Sequence, residues 1–453
     1  MTLTKYPKDL AAAVYSELKN KTLVPSLDIL VELFETMYFA SIKTEESEPI
    51  IFNIAYIDQS NPDPNQPTIN GYDRWKIIKF RDTIQFNAPN IIKLAKASDP
   101  RSSSIAIYLD NNNKISIWGL IDQGNRYHDY INYEAEARPD RPGVFQASLE
   151  GPGIIVAYSN NKKIAELRVN NIVRNAINIF QKGPIKDNLQ VGLNQYLDCI
   201  KKKLDSTINV DDDFDDELIK YWFRAICRII LRIKSYRHGG AILITDDTEN
   251  SDLDIKYPII YERLSLALIN RSINFVKDIF FSSKISDLTC NNCDIPKKLY
   301  LEESECKNNL KGINSEIDGC LWFISLLSRV DGLIVLNKNL VVRGFGVEIK
   351  TDAGRDFGAE IKTDAELDKI KIYNCNDTDP TKKNSLEEID YNHFGTRHRS
   401  MIRYCWKYEN ALGFVISQDG DVRAITKHDG KLLIWDNIKL QEHSFVRRLK
   451  KFK

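Results

Sequence analysis

The sequence predicts an α/β protein: a C-terminal mixed-sheet domain flanked by helices, an N-terminal α+β domain, and a helical connector between them. Three observations carry this. Before about residue 160, short apolar runs are separated by clusters of Asn, Asp and Pro, the pattern of strands and turns. Between 161 and 235, apolar residues recur at helical spacing. After Arg237, strand-like runs alternate with helical ones, as in a sheet packed against helices. The expected domains are therefore 1–160, 161–235 and 236–453.

In chain order, Leu10 to Leu33 holds two short helical patterns split at Pro25, which breaks a helix by removing an N–H donor. Strands are expected at Ile50–Tyr56, Trp75–Phe80, Ser104–Tyr108 and Ile115–Ile121, with turns at Asn61–Pro67 and Asp110–Asn113. Gly151–Gly153 reads as a turn before a strand at Ile154–Tyr158. Leu167, Ile172, Ala176 and Ile179 predict a helix from Ile164 to Phe180, stopped by Gly183-Pro184. A second helix starts near Asp216, with Leu218, Trp222, Ala225, Ile226, Ile229 and Ile233 on one stripe. Acidic residues precede it and Arg224, Arg228, Arg232 and Lys234 follow, which suits the helix dipole.

From Arg237, a glycine turn feeds a buried strand in RHGGAILIT. Helices are expected at Glu262–Val276 and Asn314–Arg329, and a strand at Asp331–Asn337. Then come the strand VVRGFGVEI, the turn FGTRHRS opening a helix, and the strand FVIS with the turn Gln418–Asp421. A 12-residue unit, Phe345–Asp356, repeats at once as Phe357–Asp368. Two copies are too few for a solenoid and read as a local duplication that lengthens a hairpin or loop.

Composition excludes several classes. The chain has 453 residues, 43% hydrophobic and 28% charged, enough for a large core. Lys+Arg and Asp+Glu are both 63, so the zero net charge leaves no bulk nucleic-acid footprint. No run of about 18 apolar residues predicts a membrane span. Eight Cys and a start without an apolar leader predict reduced thiols and a cytoplasmic location.

The chemistry-bearing residues cluster in the C-terminal half. Asp331 stands at the mouth of a strand beside Gly332, where a carboxylate can bind a divalent metal or accept a hydroxyl proton. Arg397, His398 and Arg399 follow the small pair Gly395-Thr396. Guanidinium forks match phosphate oxygens, and a helix starting near Thr396 adds free N–H groups. Ser417 and Asp419 close a further strand. The set predicts a nucleoside triphosphate site with a metal and an acid/base carboxylate.

DGL at Asp331–Leu333, GTRHRS at Gly395–Ser400 and SQD at Ser417–Asp419 stand in the order DGA, G-[TA]-RHR-x-A, S-E-E. In this the segment Arg237–Lys431 resembles the diadenylate cyclase (DAC) domain of the DisA and CdaA type. His238–Ile244 (HGGAILI) is similar to that family's early G-A-L-I-V strand. Phe34–Glu46, Ile117–Gln123 and Gly151–Tyr158 resemble a sensor-like domain found ahead of divergent DAC domains. The resemblance implies condensation of two ATP into cyclic di-AMP with release of pyrophosphate. It implies Mg²⁺ or Mn²⁺, and two sites face to face, hence a homodimer or higher even oligomer.

Residue by residue, the resemblance makes Asp331 the group that activates the 3′-hydroxyl and engages the metal, with Asp419 as the second acidic ligand. Arg397, His398 and Arg399 match the phosphate-holding residues, with Thr396 beside them. Gly332, Leu333, Gly395 and Ser417 would line the nucleotide. Leu333 stands where the family has alanine, and Gln418 where it has the first glutamate. The interval from Asp331 to Arg397 is about twice the family's usual one. The duplication and the polar stretch Asn374–Asn384 supply much of the excess.

Two other readings use the same region. One is a catalytically silent nucleotide-binding sensor of the same fold, motivated by Leu333 and Gln418. The other is a metal-dependent nuclease using Asp331 with Glu348 and Lys350, for which the duplication offers Glu360 and Lys362 as a second copy. The nuclease reading leaves GTRHRS without a role. Cys290, Cys293, Cys306 and Cys320 could form a four-thiolate zinc site, but Cys320 lies on an apolar helical stripe, so buried or solvent thiols are the default. His238 is expected to pack structurally at a strand start, His393 to sit in a loop, and Val446–Lys453 to be a solvated tail.

Overall fold

The computed structural model describes residues 4–18, 25–45, 48–60, 76–100, 102–110, 112–122, 144–159, 162–168, 171–173, 177–206, 208, 212–247, 251–290, 294–350, 371–382, 385–390, 394–418, 420–436 and 438–440. The chain divides into two compact units, Met1–Ala176 and Ile177–Lys453. The mixed α/β class expected from the sequence is the class observed.

The first unit runs α1 (Pro7–Leu18), α2 (Leu27–Ser41), β1 (Thr44–Glu45), β2 (Glu48–Pro49), β3 (Phe52–Tyr56), β4 (Lys76–Gln85), α3 (Ala88–Ala95), β5 (Ser103–Leu109), β6 (Ile115–Asp122), β7 (Phe145–Gly151), β8 (Ile154–Ser159), β9 (Lys162–Arg168) and β10 (Asn171–Val173). Pro25 separates the first two helices as expected. Ser26 then caps α2 by accepting from the Ile29 N–H, satisfying an orphan donor of the first turn. Asn87 caps α3 in the same way.

Eight strands form one sheet in the order β10-β9-β8-β7-β3-β5-β6-β4, with β3 and β5 parallel. Strand alternation sends Ile54, Ile105, Phe145, Ala157 and Leu167 to one face. There they pack with Leu10, Val14, Leu33 and Phe34 of the helices.

The helix expected over Ile164–Phe180 is not formed; β9 and β10 occupy its first half. Ala165 and Leu167 pair with Ala157 and Ile155 of β8 and join the core, while Glu166 between them goes to the other face. The open edge of β8 supplied a period-2 solution that the 3.6-residue spacing of Leu167, Ile172, Ala176 and Ile179 did not reveal. Gly183-Pro184 does not stop a helix but starts one. Gly183 takes φ 94°, and Pro184 sits in the first turn of the next helix, where its missing N–H costs nothing.

The second unit runs α4 (Pro184–Lys203), α5 (Asp212–Ser235), β11 (Gly240–Ile244), β12 (Leu253–Tyr261), α6 (Arg263–Cys290), α7 (Lys297–Leu327), β13 (Leu333–Leu336), β14 (Val342–Ile349), β15 (Ile372–Cys375), β16 (Leu386–Ile389), α8 (Thr396–Lys407), β17 (Leu412–Ile416), β18 (Val422–His428) and β19 (Lys431–Trp435). Its nine strands lie in the order β12-β14-β13-β11-β17-β18-β19-β15-β16. One face carries α8, through Met401, Ile402 and Cys405 against Leu243, Val335, Val415 and Ile425. On the other, Phe414 meets Phe180, which stacks on Phe223 of α5.

α6 and α7 are longer than their apolar stripes predicted. Buried residues occupy only Leu264–Val276 of α6 and mainly Ile317–Leu327 of α7. Beyond them the helices hold each other through polar pairs such as Ser282 Oγ to Glu303 Oε1 at 2.6 Å. The described part of the long Asp331-to-Arg397 interval adds β15 and β16 at the sheet edge beyond β19. The second copy of the duplication, with Glu360 and Lys362, lies outside the described residues, as do His393 and the C-terminal tail. Among the described residues, no helix is long and apolar enough to cross a membrane.

Candidate functional site

Strand pairing brings the distant motifs to one end of the second sheet. β11 runs parallel to β13, so the start of each lies at the same end. β17 runs antiparallel to β11, with Gly240 opposite Ile416, so Ser417 leaves the sheet there too. Ile242 pairs with Ile334, and carrying that register back places Gly239 level with Asp331. β14 is antiparallel to β13, which brings Glu348 and Lys350 to this end as well.

Gly332 has a steric reason to be glycine. Its φ is 112°, and a Cβ there would stand 2.6–2.8 Å from backbone atoms of Gly346 and Val347. The close approach of β14 fixes the turn from which the exposed Asp331 projects. Leu333 follows it into the apolar core under α8, with Val335 and Val347. Its bulk fills the interior there.

α8 supplies the basic arm. Gly395 is its N-cap and makes no side-chain cap bond, and a Cβ at Gly395 would meet nothing within 4 Å. The first turn is therefore open, with exposed Gly395, Thr396 and Arg397, and no acidic residue. Arg397, His398 and Arg399 stand at the positive end of the helix dipole, where cations are unfavourable and anions favoured. The Arg397 guanidinium reaches β11: its Nη1 lies 2.6 Å from where a Gly239 Cβ would be. Gly239, at φ 72°, is thus the seat of Arg397.

His398 is held neutral. Burial pushes its pKa down to about 4, and the nearby Arg423 guanidinium adds to the effect. Arg423 Nη1 lies 3.0 Å from His398 Nε2. A guanidinium only donates, so Nε2 accepts and Nδ1 carries the proton. Arg423 Nε also donates to Asp436 Oδ1 at 2.5 Å, and Asn374 donates to the other oxygen of Asp436 at 3.1 Å. A polar chain therefore runs from the first turn of α8 across β18 and β19 to β15.

Ser417 is engaged locally. Its Oγ accepts from the Asp421 N–H at 3.0 Å, closing the turn after β17. Asp419 lies outside the described residues. Arg423, Asp436 and the seating role of Gly239 were not found from sequence. The available signal was an arginine interrupting the apolar run of β18, and a second glycine beside the one needed for the strand.

Several expected groupings are not assembled. Cys306 and Cys320 lie fourteen residues apart on α7, roughly 21 Å along the axis, so they cannot ligate one ion together. Cys293 is outside the described residues. Lys350 lies in the field of Asp252, whose carboxylate is bonded by Lys407 and Tyr408. Glu348 is exposed and pairs across the sheet with another acid, Asp254.

Mg²⁺ or Mn²⁺ was expected at Asp331 and Asp419. No group of three or more His, Cys, Asp or Glu that could surround an ion occurs among the described residues. Among the described residues, Asp331 alone of the two expected ligands is placed, and its exposed carboxylate could supply one oxygen to an ion.

Residues 19–122, within the first unit, match a family model described as "Probable sensor domain DACNV". No curated protein matches the chain.

Proposed function

We propose that the second unit is a diadenylate cyclase regulated by the N-terminal sensor domain. The observation that carries this reading is the first turn of α8. Arg397, neutral His398 and Arg399 surround an uncapped helix N-terminus, at the same sheet end as the carboxylate of Asp331. Cations placed against a helix dipole, with no acid in the first turn, suit a polyanion such as a triphosphate.

In this reading Arg397 and Arg399 bind the phosphates, and His398 donates from Nδ1 to a phosphate oxygen. Asp331 receives the proton of a 3′-hydroxyl as its oxygen forms a bond to the α-phosphorus of a second ATP. The bond from that α-phosphorus to the bridging oxygen breaks, and pyrophosphate leaves with the electron pair. A second such step closes the ring. A bound Mg²⁺ or Mn²⁺ at Asp331 would supply charge neutralisation on the phosphates. One site cannot close both bonds, so the active species is a homodimer or a higher even oligomer.

The test is incubation of the full chain with ATP and Mn²⁺ or Mg²⁺, with Asp331→Asn in parallel and products resolved by mass. Cyclic di-AMP from the wild type, and at least about 100-fold less from the variant, supports the reading. ATP binding without product, under every metal tried, would favour the silent sensor instead.

A further inference from the structure

The first sheet has a second face, opposite the one that α1 to α3 cover, and it buries polar residues beside a small apolar cluster. Alternation places Asn53 and Ala55 of β3, Ser104 and Ala106 of β5, Gln146 and Ser148 of β7, Tyr158 of β8 and Glu166 of β9 on it. Asn53, Ser104, Gln146, Ser148 and Glu166 are each no more than 2% exposed. A buried polar group costs free energy unless it is hydrogen-bonded.

Most of this face is internally satisfied. Ser148 Oγ donates to Asn53 Oδ1 at 2.7 Å, and Asn53 Nδ2 donates to the Pro100 carbonyl at 2.9 Å. Lys163 and Arg168 both donate to Glu166, and Tyr158 donates to Glu150 at 3.1 Å. Lys163, Arg168, Glu166 and Glu150 are thus all engaged.

Gln146 breaks the pattern. It is wholly buried, and neither its amide oxygen nor its amide nitrogen has a partner. Ser104 Oγ, also wholly buried, has none either. Leaving such atoms unmade costs about 1–3 kcal/mol each. Beside Gln146 the register runs through Ala55, Ala106 and Gly119; the Ile78 carbonyl closes over Gly119, so the small side chains next to the amide are those of Ala55 and Ala106. Tyr158 pairs with Gln146 on its other side, and Trp118 packs with Ala55 and Ala106, its indole N–H spent on the Ile57 carbonyl at 2.9 Å.

From this we propose that the Gln146 face is a ligand site of the first unit. Its ligand is a small, uncharged, planar molecule that presents a hydrogen-bond donor beside an acceptor, as a nucleobase edge or a carboxamide does. With these charges already engaged by one another, the face disfavours an ion. The amide demands both a donor and an acceptor, and Tyr158 on the neighbouring strand favours a flat guest.

The test uses the full chain and three probes: adenine, uracil and nicotinamide. Each is titrated by calorimetry and by thermal shift against the wild type, Gln146→Leu, Ala55→Val and Asp331→Asn. At least one probe should bind the wild type and Asp331→Asn alike. Its affinity should fall at least tenfold in Gln146→Leu, which loses the hydrogen bonds, and in Ala55→Val, which fills the adjoining row. Absence of binding by all three probes to the wild type overturns the proposal, as does binding that survives in both variants. Because the readout is binding at the first unit, failure here leaves the cyclase reading of the second unit standing, and the reverse also holds.

Discussion

Arg423 donates to Nε2 of His398 across 3.0 Å, and in doing so decides which proton the imidazole keeps. The ring is fixed as the Nδ1–H tautomer and oriented by a cation that is itself held by Asp436.

Removing that cation should act on the proposed phosphate site without dismantling the fold. Arg423→Gln frees the imidazole to rotate and to change tautomer. Turnover is expected to fall roughly 10–100-fold, as for loss of a positioning partner, with near-wild-type thermal stability. Asp436→Asn should move the same way by less. Cyclase rates set beside melting curves check this, and an unchanged rate in both variants would remove the network from the function.

His398 makes stability depend on pH. Its pKa is lowered in the fold, to about 4, from the ordinary 6.5. Between those values the unfolded chain binds a proton that the folded one does not. Stability is therefore full above about pH 6.5 and is lost as pH falls towards 4. With a discount for the partly exposed ring, the loss should be on the order of 1–2 kcal/mol. Urea midpoints across this range should be flatter for His398→Gln than for the wild type.

Gly239→Ala should displace Arg397. The new methyl would meet both its guanidinium and the Ile416 carbonyl, at a backbone φ of 72° that disfavours alanine. A stability loss of about 1–2 kcal/mol is expected, with ATP affinity reduced about tenfold or more. If ATP binding measured by calorimetry is unchanged, Arg397 does not hold phosphate from that seat.

Gly332→Ala should be the more damaging glycine change. The added Cβ meets backbone rather than a movable side chain, and φ is 112°. We expect roughly 2–4 kcal/mol lost in denaturant melts, because β14 must shift to make room.

The triad of Glu166 with Lys163 and Arg168 also loses its contribution as pH falls, in the carboxylate range. Burial alone would push the Glu166 pKa up, but the two cations and their hydrogen bonds outweigh it and hold the carboxyl below its usual range. Its contribution is present above the unfolded carboxylate pKa and is lost as pH falls through the lower folded value. Glu166→Leu leaves two cations facing a buried position and should cost about 3–5 kcal/mol. Guanidinium melts of this variant against Lys163→Met would check the sign and size.

Motif order singled out Asp331 and the arginines of α8, and the strand register carries Gly239, the seat of Arg397, level with Asp331. Gly332 and Gly395 could be read as turn residues. Arg423, Asp436 and the seat at Gly239 could not, since each matters through a partner on another strand. The apolar stripe of α5 was legible because all of it, from Leu218 to Ile233, is buried, though Ala225 to Leu231 are buried all round. The distal halves of α6 and α7 were not, because they bury polar pairs against each other. β9 was misread as helix because its spacing fits both periods, and only the waiting edge of β8 decides between them.

The strand pairing at the site also sets the order in which it can form. Ile242 of β11 needs Ile334 on one side and Phe414 on the other, and both are made long after it. On the ribosome, the strand that seats Arg397 emerges well before its flanking strands, and most of the chain has been synthesised before α8 exists. Loop closure over such separations is slow, so this sheet end is among the last parts of the second unit to consolidate. A nascent or truncated chain that ends before α8 would therefore display the carboxylate of Asp331 without Arg397, His398 and Arg399.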